Sequence, residues 1–187
     1  MGLRTKINKF IYNLKFKKNF KKPKFLINEN ILITGASSGI GLSLSKILKV
    51  NNKVLGIYNN NKIILKDEDK KKFIKVKCDL SNENDYGELK VKLKEFTPTV
   101  ILHCAGSFGS NNQNIDNINF KYFLDIIMLN SLSIIKILSL LSQDQREKIK
   151  IITNISSEGG SISKNNQGNA YIYRTSKTAL NSITKNL

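Results

Sequence analysis

The sequence predicts an α/β fold, one doubly wound parallel sheet with helices on both faces. Short apolar runs of strand length alternate five times with stretches of helical period, and the first run, Ile31-Leu32-Ile33, ends in a glycine-rich turn that opens a helix. Such alternation is how parallel strands joined by helical crossovers read in sequence. An apolar run without polar interruption marks a strand covered on both faces.

Taken in order, Ile31-Leu32-Ile33 is the first strand, and Ile40, Leu44, Ile47 and Leu48 follow it at helical spacing. Val54-Leu55-Gly56-Ile57-Tyr58 is the second, closed by the turn-forming Asn59-Asn60-Asn61. The third, Phe73 to Cys78, leads into Asp79-Leu80. Ser81 is placed to cap the next helix, with Glu83 and Asp85 in its first turn and Tyr86, Leu89, Leu93 and Phe96 on its inner face. Val100-Ile101-Leu102 is the fourth strand and runs into His103-Cys104-Ala105-Gly106. A polar loop, Ser107 to Asn117, precedes a long helix from Phe120 to Ser142; Ile149 to Ile155 is the fifth strand, and a last helix begins near Tyr171. Residues 1–29 read as a basic extension and 30–187 as one domain.

A chain of 187 residues, 40% of them hydrophobic, can bury one continuous core. Cys78 and Cys104 form no CxxC pair, which argues against a disulfide framework or a zinc site and suits thiols in a reducing cytoplasm. The net charge of +17 is partly gathered before residue 30, where Arg4, Lys6, Lys9, Lys15, Lys17, Lys18, Lys21, Lys22 and Lys24 face only Glu29. Ile7, Phe10, Ile11 and Leu14 give that stretch one apolar stripe, so it reads either as a solvated tail or as an amphipathic helix for an anionic membrane. Nucleic acid is the less favoured partner. The most apolar long stretch, Tyr122 to Leu141, carries Asp125, Asn130 and Lys136, which suits a buried helix of a cytoplasmic protein better than a membrane span.

Gly35, Gly39 and Gly41 let the turn after the first strand close tightly and approach a pyrophosphate. The helix behind them offers unpaired N–H groups and its positive end to phosphate, and Ser37 and Ser38 add hydroxyl donors. A bound dinucleotide is the expectation. NAD sites place an acid about 20 residues on, for the ribose 2′-hydroxyl. Here that stretch is Tyr58-Asn59-Asn60-Asn61-Lys62, with no acid between Glu29 and Asp67. A 2′-phosphate meets no repulsion there and finds Lys62, so NADP(H) is favoured; NAD(H), with Asn59 on the ribose, stays open.

Near the end of the chain, Tyr173 and Lys177 are four residues apart, on one face of a helix. A free phenol titrates near pH 10, too high for efficient proton transfer at neutral pH, and a neighbouring ammonium brings that value down. Upstream, Asn154-Ile155-Ser156-Ser157 ends the fifth strand at the carboxyl edge of the sheet, where ligands bind.

Thr34-Gly35-x-x-x-Gly39-x-Gly41, Asp79-Leu80, Ala105-Gly106, Asn130, Ser157 and Tyr173-x-x-x-Lys177, in that order, resemble the short-chain dehydrogenase/reductase family. The runs Ile155 to Ile162 and Tyr173 to Asn181 are most similar to its C-factor-like branch. The resemblance implies a Rossmann-type sheet with five of the family's usual seven strands, and hydride transfer between a nicotinamide and a carbonyl or alcohol substrate. By the same resemblance Tyr173 is the general acid or base, and Lys177 lowers its pKa and binds the nicotinamide ribose. Ser157 hydrogen-bonds the substrate oxygen, and Asn130 holds a water in the proton relay. Asp79 takes the adenine amino group, with Leu80 beside it. Gly35, Ser37, Ser38, Gly39, Ile40, Gly41, Asn59, Ala105 and Gly106 complete the implied cofactor set.

Two features depart from the family pattern. His103-Cys104 stands where two asparagines are common, and His103 reads as a strand-end histidine satisfied by backbone rather than as a catalytic group. The sequence given also ends at Leu187, within the helix of Tyr173 and Lys177, whereas family members continue into two more strands and a substrate-covering segment. A homo-oligomer is compatible with the family. The competing function is a dinucleotide-binding signalling or regulatory protein with little turnover.

Overall fold

The computed structural model describes residues 26–60, 73–111 and 113–187. Five strands form one parallel sheet: β1 (Asn30–Thr34), β2 (Lys53–Tyr58), β3 (Phe73–Lys77), β4 (Val100–His103) and β5 (Ile151–Asn154), in the order β3-β2-β1-β4-β5. The doubly wound parallel sheet expected from the alternation is therefore present. The basic tail and Lys62 lie outside the described residues.

Burial follows position in the sheet. Ile31, Leu32 and Ile33 of β1 and Ile101 of β4 have no exposed surface, while β5 at the edge leaves Ile151 and Thr153 exposed. Successive strand residues face opposite sides. Leu32, Leu55, Ile57, Val76 and Ile101 pack on Leu89 and Leu93 of α2 (Gly87–Glu95) and on Ile134 and Ile137 of α4 (Ser133–Ser139). Ile31, Ile33, Val54, Val100 and Leu102 face the other way, towards Leu42, Leu44 and Leu48 of α1 (Gly39–Leu48). The strand order reverses between β1 and β4, with β2 and β3 added on one side of β1 and β4 and β5 on the other, which opens a crevice at the carboxyl ends of these two parallel strands.

Two helix assignments change. Ser81 does not cap α2: its amide and hydroxyl both donate to Asp79 Oδ1, at 2.9 and 2.6 Å. Asn82 instead caps a separate 3₁₀ turn, Glu83–Asp85, and α2 starts only at Gly87. The long helix expected over Phe120–Ser142 is α3 (Phe120–Ile127), a π turn (Met128–Leu132) and α4, ending at Ser139. Ser142 then opens a new short helix, α5 (Gln143–Glu147), through a reciprocal capping box with Gln145. By length and composition Phe120–Ser139 is apolar enough to cross a membrane. In this fold it buries Ile126, Ile134, Ile137 and Leu138 together with the polar Asn130, Ser131 and Ser133. The last helix, α6 (Tyr171–Asn186), begins where the sequence places it.

Candidate active site

The crevice starts at the turn after β1. Gly35 has φ +64, and a Cβ there would stand 3.0 Å from the backbone of Ala105. A Cβ on Gly41 would collide with the Gly35 carbonyl, so the first turn of α1 can press against the strand end only without side chains. Gly39 needs its φ of +51 but has open space around it. Ala36 N–H donates to the Ile57 carbonyl at 2.9 Å, stitching the turn to β2. Ser38 is the N-cap of α1 with no side-chain cap bond, and Ile40 beside it is 45% exposed, so this end of α1 faces open solvent.

A groove of about 200 Å³ continues from the turn, lined by Gly35, Ser37, Asn59, Leu80, Ala105 and Gly106 among others. Asp79, between the lining residues Cys78 and Leu80, is half-buried. Burial alone would raise its pKa, but hydrogen bonds from Ser81 and from the Asn59 side chain outweigh this and hold it below the usual range. Asp79 is thus an ionised acceptor, and Asn59 is tied to it. No carboxylate follows β2 in the described Tyr58-Asn59-Asn60, and Lys77 stands in register beside Tyr58.

The second half of the crevice is built from side chains. Asn130, fully buried in the π turn, accepts from Ser107 N–H at 2.8 Å and donates to the Ser107 carbonyl at 2.8 Å and to Ser176 Oγ at 2.9 Å. It thereby fixes the chain just after Gly106 and joins it to α6. Ser176 passes its own proton to the Tyr173 carbonyl at 2.8 Å. Lys177 is buried, and burial lowers its pKa; Nζ donates to the Ile155 carbonyl at 2.9 Å and would touch a Cβ on Gly106 at 3.4 Å. Ser157 caps the 3₁₀ turn Glu158–Gly160, accepting from Gly159 N–H at 3.1 Å. A Cβ on Gly159 would lie 3.4 Å from the Tyr173 ring and 3.5 Å from Ser157 Oγ, so serine and tyrosine flank one glycine.

Three residues of this frame carry no motif in the sequence. Gln113, almost fully buried, accepts from Tyr173 N–H at 2.9 Å and donates to the carbonyls of Phe108 and Ser110 at 2.7 Å each. It supplies the cap that Ala170, the N-cap residue of α6, does not. The Phe108 ring rests on Tyr173, with centroids 4.8 Å apart. Ser176 is the third, and only its place beside Lys177 hints at a role. His103 is buried as expected and the Asn130 backbone bonds its ring, but hydroxyl side chains join in: Thr34 Oγ1 lies 2.9 Å from Nδ1 and Ser133 Oγ 3.4 Å from Nε2. Both cysteines are free, and burial raises their thiols to about 12 for Cys78 and about 11 for Cys104, so neither is an activated nucleophile.

The model of the short chain dehydrogenase family matches residues 29–187. No curated protein matches the chain in sequence. Among solved structures, a carbonyl reductase from Pseudomonas aeruginosa PAO1 in complex with NADP is similar, with a TM-score of 0.71 at 22% identity over 84% of this chain and 74% of that one. A short chain dehydrogenase family protein from Francisella tularensis subsp. tularensis SCHU S4 has a TM-score of 0.70 at 24% identity, over 86% of this chain and 62% of that one. A short-chain dehydrogenase/reductase from Burkholderia vietnamiensis has a TM-score of 0.68 at 16% identity, over 84% of this chain and 77% of that one. At these identities the likeness is one of fold.

Proposed function

Because the chain belongs to the short chain dehydrogenase family, a family of oxidoreductases, we propose that residues 30–187 bind NADP(H) and interconvert a carbonyl compound and an alcohol, with Tyr173 as general acid or base. What supports this reading is that Ser157 and the Tyr173 ring flank Gly159, while Lys177 Nζ, bonded to the Ile155 carbonyl beyond β5, reaches Gly106, which lines the groove of the glycine turn.

The residues fit a dinucleotide. Gly35 and Gly41 let the end of β1, the Ala105 backbone and the first turn of α1 close against one another, and the open end of α1 beside Gly39 offers N–H groups to a pyrophosphate. Asp79 is an ionised acceptor at the adenine end, and the Ala105–Gly106 backbone floors the groove. NADP(H) is favoured over NAD(H) by the lack of a carboxylate after β2 and by Lys77 at that edge; the complex of the similar carbonyl reductase with NADP agrees. The nicotinamide supplies or accepts the hydride. In reduction, Ser157 Oγ donates a hydrogen bond to the substrate oxygen and the Tyr173 hydroxyl gives it a proton. The Lys177 ammonium, one helical turn on, stabilises the phenolate left behind and takes hydroxyls of the ribose. Asn130 keeps Ser107 and α6 in register around this point.

Fluorescence titration with NADPH and NADH, followed by turnover on a panel of aldehydes and ketones, tests the proposal. NADPH should bind more tightly, and Tyr173→Phe should bind it as well as the parent does while losing turnover by about a thousandfold. Normal turnover by Tyr173→Phe removes the mechanism. NADPH binding with no turnover in the parent chain favours the signalling reading.

A further inference from the structure

The one histidine of the chain lies at the end of β4 with no exposed surface, and the reaction above gives it nothing to do. Its neighbours fix where its proton sits. Ala105 N–H donates to Thr34 Oγ1 at 2.9 Å, so the Thr34 hydroxyl proton is free to turn the other way, onto His103 Nδ1, also at 2.9 Å. Nδ1 is then an acceptor, and the neutral ring carries its proton on Nε2. On that side stands the π turn. Ser133 Oγ has already given its proton to the Leu129 carbonyl at 2.7 Å and can only accept, and the Asn130 carbonyl is a second acceptor for the ring. Every polar group in the chain Ala105–Thr34–His103–π turn has a role only if the imidazole is neutral and protonated at Nε2.

We propose that His103 is a positioning residue which, as the neutral Nε2–H tautomer, locks the strand end of the glycine turn and the Ala105–Gly106 floor to the π turn that carries Asn130. The two halves of the crevice are built by different means, and this imidazole bonds to both. It accepts from Thr34, which precedes Gly35 and holds Ala105, and it donates into the turn whose Asn130 holds Ser107 and α6. An apolar residue of the same size cannot make this connection. Burial and the positive charge of Lys177, the charged group acting on the ring, both oppose a second proton, and the Asn130 carbonyl opposes them only in part; the pKa is held down at about 4. The lock is therefore closed at neutral pH. That the crevice takes a dinucleotide rests on the function proposed above; that the imidazole bridges its walls does not.

Nitrogen-15 NMR of the whole chain reads this directly, because a single histidine gives a single set of imidazole signals. At pH 7 the ring should show the Nε2–H tautomer with Nδ1 as a hydrogen-bonded acceptor. An Nδ1–H tautomer or an imidazolium would overturn the proposal. Thr34→Val removes the donor to Nδ1 and should shift both the ring nitrogens and the backbone amides of Asn130 and Ser131, whereas Thr34→Ser keeps the hydroxyl and should restore them. Unchanged Asn130 and Ser131 amides in folded Thr34→Val would show that nothing passes through the ring. NADPH should bind Thr34→Val roughly tenfold more weakly and Thr34→Ser within about threefold of the parent; equal binding by Thr34→Val overturns the positioning role. If the parent binds neither NADPH nor NADH, the reading of the crevice fails, and the amide shifts alone decide whether the bridge exists.

Discussion

The two halves of the crevice reach their shapes by opposite means. Around the glycine turn the chain succeeds by having nothing there: Gly35 and Gly41 approach backbone so closely that any Cβ would meet a carbonyl or the Ala105 main chain. Around Tyr173 it succeeds by filling space with paired polar groups: Asn130 bonds Ser176 and the Ser107 backbone, Gln113 bonds the Tyr173, Phe108 and Ser110 backbone, and Lys177 bonds the Ile155 carbonyl. A half defined by close backbone contact should fail steeply when one atom is added. A half defined by hydrogen bonds should fail when one group is removed, and by the cost of the partners left behind.

The largest effect therefore belongs to the first half. In Gly41→Ala the new methyl meets the Gly35 carbonyl, a backbone atom that cannot swing aside as a side-chain tip can. Unfolding by urea should show a loss of about 3 kcal/mol, at the upper end for overpacking. NADPH affinity, measured by fluorescence, should fall on the order of a hundredfold as the turn opens. Parent-like binding by Gly41→Ala would mean that the turn has slack and that the contrast between the halves is false.

Acid probes the seam between them. The His103 pKa is pushed down from 6.5 to about 4, so between these values the unfolded chain holds a proton that the folded chain refuses. Stability contributed by the neutral ring is complete above pH 6.5 and is lost as pH falls towards 4. The size is about 3 kcal/mol by linkage. Carboxylates titrate in the same range, so the useful quantity is a difference. Urea midpoints of the parent should fall more steeply between pH 6.5 and 4 than those of His103→Asn, which has no ring to protonate. Parallel curves would mean that the buried ring accepts a proton freely.

This contrast also explains what the sequence could and could not reveal. Glycines leave a direct trace: a strand-length apolar run followed by Gly35-x-x-x-Gly39-x-Gly41 has few other physical uses, and the turn is where that pattern places it. Short apolar runs separated by helical periods made the five strands legible in the same way, although pattern cannot assign a cap when several polar residues compete. Spacing makes Ser81 the cap for α2, yet the half-buried Asp79 carboxylate takes both of its donors. The break of the long helix was hidden because a π turn changes hydrogen bonding without changing apolar spacing much. Hydrogen-bonded frameworks leave the weakest trace. Gln113 sits in a polar loop 60 residues from Tyr173, and nothing local distinguishes it from its neighbours Asn111 and Asn114.

In the second half, Asn130→Ala tests removal. The Ser107 N–H and carbonyl and the Ser176 hydroxyl lose a shared partner in a fully buried place. One unsatisfied buried group costs about 1–3 kcal/mol; a water taking the place of the amide beside these polar groups offsets part of the loss, and a net cost of about 2 kcal/mol is expected. Hydrogen exchange should rise at Ser107 and over the first turns of α6 and stay unchanged across Ile31 to Ile33. Equal acceleration in β1 would show that the halves unfold as one unit.

The smallest effect is the sharpest control. Gly39 and Gly41 stand two residues apart in the same turn, and a pattern-based reading gives them equal weight. Their surroundings differ. Gly39 has a left-handed φ of +51 but nothing within 4 Å of its would-be Cβ, whereas Gly41 has helical backbone and no room. Alanine at 39 therefore meets only its own backbone preference, a cost of about 1 kcal/mol. The turn keeps its shape, so NADPH affinity should fall by no more than about fivefold at that cost. If Gly39→Ala is as damaging as Gly41→Ala, conformational freedom rather than close approach controls the turn. If it is mild, the steep half of the crevice narrows to the contact between the first turn of α1 and the end of β1.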